Sequence, residues 1–193
     1  MNELVYIFII FIIILSGYMF YKSSYVEVMY VKSSIDNKKH LVRNMPDKKD
    51  AADLLATVKL NLISLVQHCY NDNPDDENIK QMKHKFNPDN ITESSHKNKY
   101  TSYSVNKGER VVFCLRSRDE QENLIDTNTL MFVALHELAH IMTKSIGHTD
   151  EFWTNFRYLL KEAVKLNIYT HQDFKNNPKK YCGTIITHTP LDD

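Results

Sequence analysis

The sequence predicts an α+β fold: a single domain built on a metal-binding helix, a second helix packed beside it and a small β-sheet, preceded by an N-terminal transmembrane helix. Three observations predict this. Leu4 to Tyr21 is an apolar run without a charge. The stretch TLMFVALHELAHIM sets two histidines four residues apart inside an apolar helical pattern. TSYSV, NKGE and RVVFCL read as strand, turn and strand, with Gly108 in the turn. A chain of 193 residues, 42% of them hydrophobic, holds one core and an appendage.

The appendage comes first. LVYIFIIFIIILSGYMFY is bounded by Glu3 and Lys22, and as a helix it spans about 27 Å, close to the hydrocarbon thickness of a bilayer. Residues 1–24 are therefore expected to be a membrane anchor. A cleaved signal peptide fits less well, because no Lys or Arg precedes the run and no small-x-small cleavage site follows it. A buried soluble helix would need a polar stripe, which is missing. Residues 25–48 are mixed polar with VEVMYV embedded, a linker or stalk that could carry a short strand. The main domain is expected over 49–193.

Ala51 to Tyr70 has apolar residues at spacings of three and four and predicts a helix started near Asp47 or Asp50. NDNPDDEN is a loop, and a short helix is expected over Ile79 to Phe86. After the hairpin, Asp126 or Thr127 can cap the helix that carries the histidines, and Gly147 can end it in a left-handed turn. DEFWTNFRYLLKEAVKLN is a second amphipathic helix with Asp150 and Glu151 in its first turn, where they favour the helix dipole.

HELAHIMTKSIGHTDEFW concentrates the chemistry. His136 and His140 lie one helical turn apart, so two ring nitrogens can converge on one ion, with Glu137 beside it as general base. By chance, HExxH arises roughly 0.02 times in a chain of this composition, so accident is a poor account. His148 follows the turn glycine directly and is the expected third ligand. It leaves a fourth position open, as a catalytic zinc requires. Glu162 on the next helix is the competing third ligand, although Lys161 and Lys165 beside it suit a solvated face. His40, His68, His84, His96 and His188 are expected to be ordinary surface or packed histidines.

HELAH followed by GHTDEFW resembles the single-domain zinc metallopeptidases of the SprT-like and WLM type, and is most similar to those encoded by large DNA viruses, in which a segment like YCGTIITHTPL follows the second helix. The resemblance covers Tyr100 to Leu191. It implies a zincin-like fold and a zinc peptidase, expected to be an endopeptidase, with His136, His140 and His148 as metal ligands and Glu137 as catalytic residue. Zn2+ would polarise the scissile carbonyl and lower the pKa of its bound water, while Glu137 moves the proton to the leaving amine. Tyr181 or His171 could add an oxyanion donor, and Asp150 could orient a ligand imidazole. The hairpin strand Arg110 to Leu115 is the candidate edge against which an extended peptide would lie.

The expected partners are a protein or peptide substrate and a membrane. Lys and Arg equal Asp and Glu at 24 each, and no basic tract occurs, so nucleic acid is not indicated. Cys69, Cys114 and Cys182 are an odd three without zinc-finger spacing, so no disulfide framework is expected and a reducing compartment fits. Lys22, Lys32, Lys38 and Lys39 follow the anchor and favour a cytosolic domain, against which stands the glycosylation triplet Asn90-Ile91-Thr92. The alternatives to a peptidase are an inactive zinc-binding scaffold and a structural membrane protein in which HExxH is fortuitous. Oligomeric state is not legible.

Overall fold

The computed structural model describes residues 3–24, 27–96 and 100–192. Among these residues the chain forms five α-helices and seven strands. In helix α1 (Glu3–Ser24) the span Glu3–Phe20 presents apolar side chains on every face, and none of its residues is buried. At about 1.5 Å per residue, it is long and apolar enough to cross a membrane.

Strands β1 (Val28–Lys32) and β2 (Lys39–Arg43) form an antiparallel pair. The stretch expected as a linker or stalk therefore contributes to the sheet instead of standing apart. Its alternation is the physical reason: His40 and Val42 point inward from β2 while their neighbours do not. Helix α2 (Lys48–Asp72) follows, burying Ala51, Leu55, Val58, Leu62, Leu65 and Cys69 on one stripe. Helix α3 (Glu77–Lys85) begins two residues before the expected Ile79, because the Asp76 carboxylate accepts from the amides of Asn78 and Ile79.

The chain then enters the sheet again through β3 (Ile91–Glu93), β4 (Tyr103–Val105) and β5 (Arg110–Phe113). The order is β1-β2-β3-β5-β4, with β3 parallel to both of its neighbours and the two outer pairs antiparallel. β5 is consequently internal, and the edges are β1 and β4, of which β4 is the one beside β5. This corrects the expectation that Arg110 to Leu115 is the free edge.

Helix α4 (Thr127–Met142) starts where Asp126 accepts from the Thr129 amide. It ends before Gly147, with Thr143 already extended, so the glycine shapes the following loop and does not terminate the helix. Helix α5 (Asp150–Lys165) is capped by Thr149. A hairpin of β6 (Lys179–Tyr181) and β7 (Thr184–Ile186) follows. The core lies between the sheet and α2, α4 and α5, and Phe132 of α4 gathers Phe156, Tyr169 and Phe174 around it.

Cys114 and Cys182 form a disulfide across 68 residues of sequence, while Cys69 is free and buried. This overturns the reading of unpaired cysteines. The partners become neighbours only because the β6–β7 hairpin lands on the end of β5, which neither cysteine parity nor spacing reveals.

Candidate metal centre

Helix α4 turns His136 and His140 to one side, and their Nε2 atoms lie 3.2 Å apart. The loop between α4 and α5 brings in His148, whose Nε2 is 3.1 Å from that of His136. A tetrahedral zinc with nitrogen ligands about 2.0–2.1 Å away sets them roughly 3.3 Å apart, so the spacing of this donor set fits such an ion. Burial, reinforced by the neighbouring imidazoles, lowers the pKa of His136 to about 3, and burial lowers that of His140 to about 4. Both rings are therefore neutral at pH 7, with lone pairs available to a cation.

Aromatic side chains hold the three rings. Phe152 stacks on His140 with centroids 4.4 Å apart and meets His136 at 4.9 Å. Trp153 lies 5.6 Å from His148, and Phe156 packs edge-on to His136 at 5.3 Å. All three come from the first turns of α5, which explains why an aromatic-rich helix follows the histidine motif. The loop between the helices is fixed as well, since the Glu151 carboxylate accepts from the Lys144 and Ser145 amides and the Ser145 hydroxyl.

Glu137 is buried next to His136, and burial raises its pKa to about 7. Hydrogen bonds from the Ser104 backbone and side chain oppose that rise. Ser104 belongs to the edge strand β4, so this edge and the Glu137 carboxyl face the same cleft. The cleft measures about 800 Å³ and is closed on its other side by Tyr181, Thr184, Ile186 and His188 of the C-terminal segment.

The remaining candidates separate. Glu162 is buried elsewhere, against His68 Nε2 at 3.2 Å and Lys165 Nζ at 2.6 Å. His171 pairs with Asp192 and does not line the cleft. Asp150 is exposed, and among the described residues no hydrogen bond joins it to an imidazole. Tyr181 does reach the cleft, but its hydroxyl donates to the Cys114 carbonyl and is 2.6 Å from Ser102 Oγ. It is thus committed to holding the hairpin. His188, expected to be an ordinary surface residue, lines the cleft; it is 40 residues from His148 in sequence, with no spacing pattern to connect them.

The WLM domain profile matches residues 77–190. An uncharacterized protein of Acanthamoeba polyphaga mimivirus is 37% identical over 165 residues, covering 83% of each chain. Shorter matches occur to uncharacterized proteins of Invertebrate iridescent virus 6, at 35% over 82 residues, and Invertebrate iridescent virus 3, at 42% over 83 residues. These cover 42% of this chain and 44% and 49% of the relatives. The crystal structure of Wss1 from Saccharomyces cerevisiae superposes with a TM-score of 0.47 at 20% identity, covering 63% of this chain and 83% of that one.

Proposed function

Because the chain belongs to the WLM domain family, a family of zinc metallopeptidases, we propose that it is a membrane-anchored zinc metallopeptidase that cleaves peptide bonds in a protein or peptide substrate. The observation that carries this reading is the convergence of His136, His140 and His148 beside a buried glutamate in an open cleft. In the mechanism proposed, the three imidazoles hold Zn2+, which when bound supplies a Lewis acid for the scissile carbonyl and makes water more acidic.

The chain's own residues do the rest. An extended peptide lies along the outer edge of β4, and its main-chain groups fix the scissile bond over α4. Glu137, with a pKa near neutrality, takes a proton from the attacking water and delivers it to the leaving amine. Ser104 keeps the carboxylate aimed into the cleft. The aromatic wall of Phe152, Trp153 and Phe156 keeps the imidazoles in place and excludes water behind them. Helix α1 anchors the domain, a reading supported by its length and its uninterrupted apolar surface.

The test compares zinc content and hydrolysis of a peptide library by the wild type and by Glu137→Gln. The amide keeps size and fold while removing the base. Zinc should remain at one per chain, and turnover should fall by about 10² to 10⁴. Equal turnover by the two proteins would sink the mechanism, and a wild type without zinc would sink the family's chemistry for this chain.

A further inference from the structure

The loop that brings His148 to the other two histidines is tied to a lysine in the β4–β5 turn. Lys107 Nζ lies 2.8 Å from the Thr143 carbonyl oxygen, 2.6 Å from that of Lys144 and 3.1 Å from that of Ser145. An ammonium has three N–H donors, and here each has a carbonyl to meet. Thr143 is the C-cap of α4, and Lys144 and Ser145 follow it directly, so the ammonium sits just past the negative end of the helix dipole. From the other side the Gln81 amide reaches the carbonyls of Ile141, Met142 and Thr143. Glu151 takes the amides of Lys144 and Ser145. The backbone from 141 to 145 is therefore held by three side chains from three different elements.

Lys107 reaches this place by an uncommon backbone. Asn106, Lys107 and Gly108 all have positive φ, at 47°, 52° and 109°. A Cβ at Gly108 would come within 2.6 Å of the Lys85 carbonyl oxygen, so only glycine fits there. Two non-glycine residues in the left-handed region cost energy that the surroundings must offset. The turn immediately follows β4, the edge strand that carries Ser104.

We infer that Lys107 is a positioning residue for the third metal donor: its ammonium locks the Thr143–Ser145 backbone so that His148 meets His136 and His140, and it couples that loop to the edge strand facing the substrate. This rests on the metallopeptidase reading above. Charge alone argues for the opposite effect, because a lysine near a dication repels it. The two accounts therefore predict opposite signs. Removing the ammonium should tighten zinc binding if charge dominates, and weaken it if the loop is released.

The experiment measures zinc affinity of the full chain in detergent by chelator competition, for wild type and Lys107→Met, which keeps an apolar stem without donors. The visible spectrum of the Co2+-loaded proteins reports the number and geometry of donors, and thermal unfolding of the metal-free proteins reports the fold. We expect Lys107→Met to bind zinc roughly 10- to 100-fold more weakly, the loss typical of an outer hydrogen-bonding partner. A changed Co2+ spectrum and a folded metal-free protein should accompany that loss. If Lys107→Met does not fold, Lys107→Gln keeps a polar group with fewer donors and should show the same direction. Unchanged or tighter zinc binding in the folded variant overturns the inference alone. Absence of zinc binding by the wild type overturns the metallopeptidase reading and this inference together.

Discussion

Nε2 of His148 lies 3.1 Å from Nε2 of His136, although twelve residues and the end of a helix separate them. Glu162, the other candidate for the third donor, is engaged with His68 and Lys165. His148→Ala should therefore lower zinc affinity by more than the roughly 10- to 100-fold that loss of an outer partner costs. Glu162→Ala should leave affinity close to that of the wild type. Metal analysis after dialysis against a weak chelator checks both, and the reverse ranking would transfer the role to Glu162.

The metal-free protein carries opposing titrations in one site. His136 and His140 have native pKa values lowered by burial to about 3 and about 4 from an ordinary 6.5. Between those values and 6.5 the unfolded chain binds more protons, so stability falls as pH drops through this window. Glu137 has its native pKa raised by burial to about 7 from 4.5. Between 4.5 and 7 the native state binds more protons, so this group costs stability as pH rises. Two imidazoles against one carboxyl leave a net loss toward acid. Glu137→Gln removes the opposing carboxyl, so the metal-free variant should be more stable than wild type at pH 8, with the difference shrinking toward pH 5. Urea unfolding at both values measures this, and a difference independent of pH would show that Glu137 does not titrate as its burial demands.

Much of this site was legible because its parts are local. His136 and His140 share one helical face through a spacing of four, with Glu137 beside them, and Gly147-His148 announces a turn that returns a third imidazole. The aromatic wall was visible only as an amphipathic helix, since nothing in FWTNF says that its rings would stack on imidazoles. The illegible parts depend on long-range pairing. β4 lies within TSYSV and was legible as a strand, but β3 has only three residues, too short for alternation to register, so the pairing that makes β5 internal could not be read. The Cys114–Cys182 link and the approach of His188 both follow from where the last hairpin docks, which is decided by burial of Tyr181 and Cys182 against β5 and not by any local pattern.

That hairpin is the basis of a third prediction. The disulfide closes a loop of 68 residues, for which chain entropy gives about 4 kcal/mol of stabilisation. It also fastens the segment whose Thr184, Ile186 and His188 form one side of the cleft. The double variant Cys114→Ser, Cys182→Ser should unfold at lower denaturant concentration and should show a raised KM with a smaller change in kcat, because binding surface is loosened while Glu137 stays in place. Chemical denaturation and peptide kinetics test the two parts separately. An unchanged KM would mean that the noncovalent contacts of Tyr181 hold the hairpin by themselves.

The last prediction concerns the side of the membrane on which the domain lies. Lys22, Lys32, Lys38 and Lys39 favour the cytosol under the positive-inside rule, but Lys32 belongs to β1, Lys39 to β2 and Lys38 to the turn between them. They are parts of a folded sheet, and folded domains translocate largely regardless of their charge. Lys22 alone remains as a flanking charge outside that sheet. The cysteines no longer support a reducing compartment either, since a buried disulfide persists best where thiols are oxidised. Asn90 stands at a turn before β3, half-buried, with its amide on the Glu109 carbonyl. Were the domain translocated, Asn90 would be open to modification before the chain folds. The expected outcome in sealed microsomes is a protease-protected C-terminal domain carrying a glycan on Asn90 that disappears in Asn90→Gln. An unglycosylated domain that protease digests without detergent would return the catalytic cleft to the cytosolic face and would require the disulfide to form there.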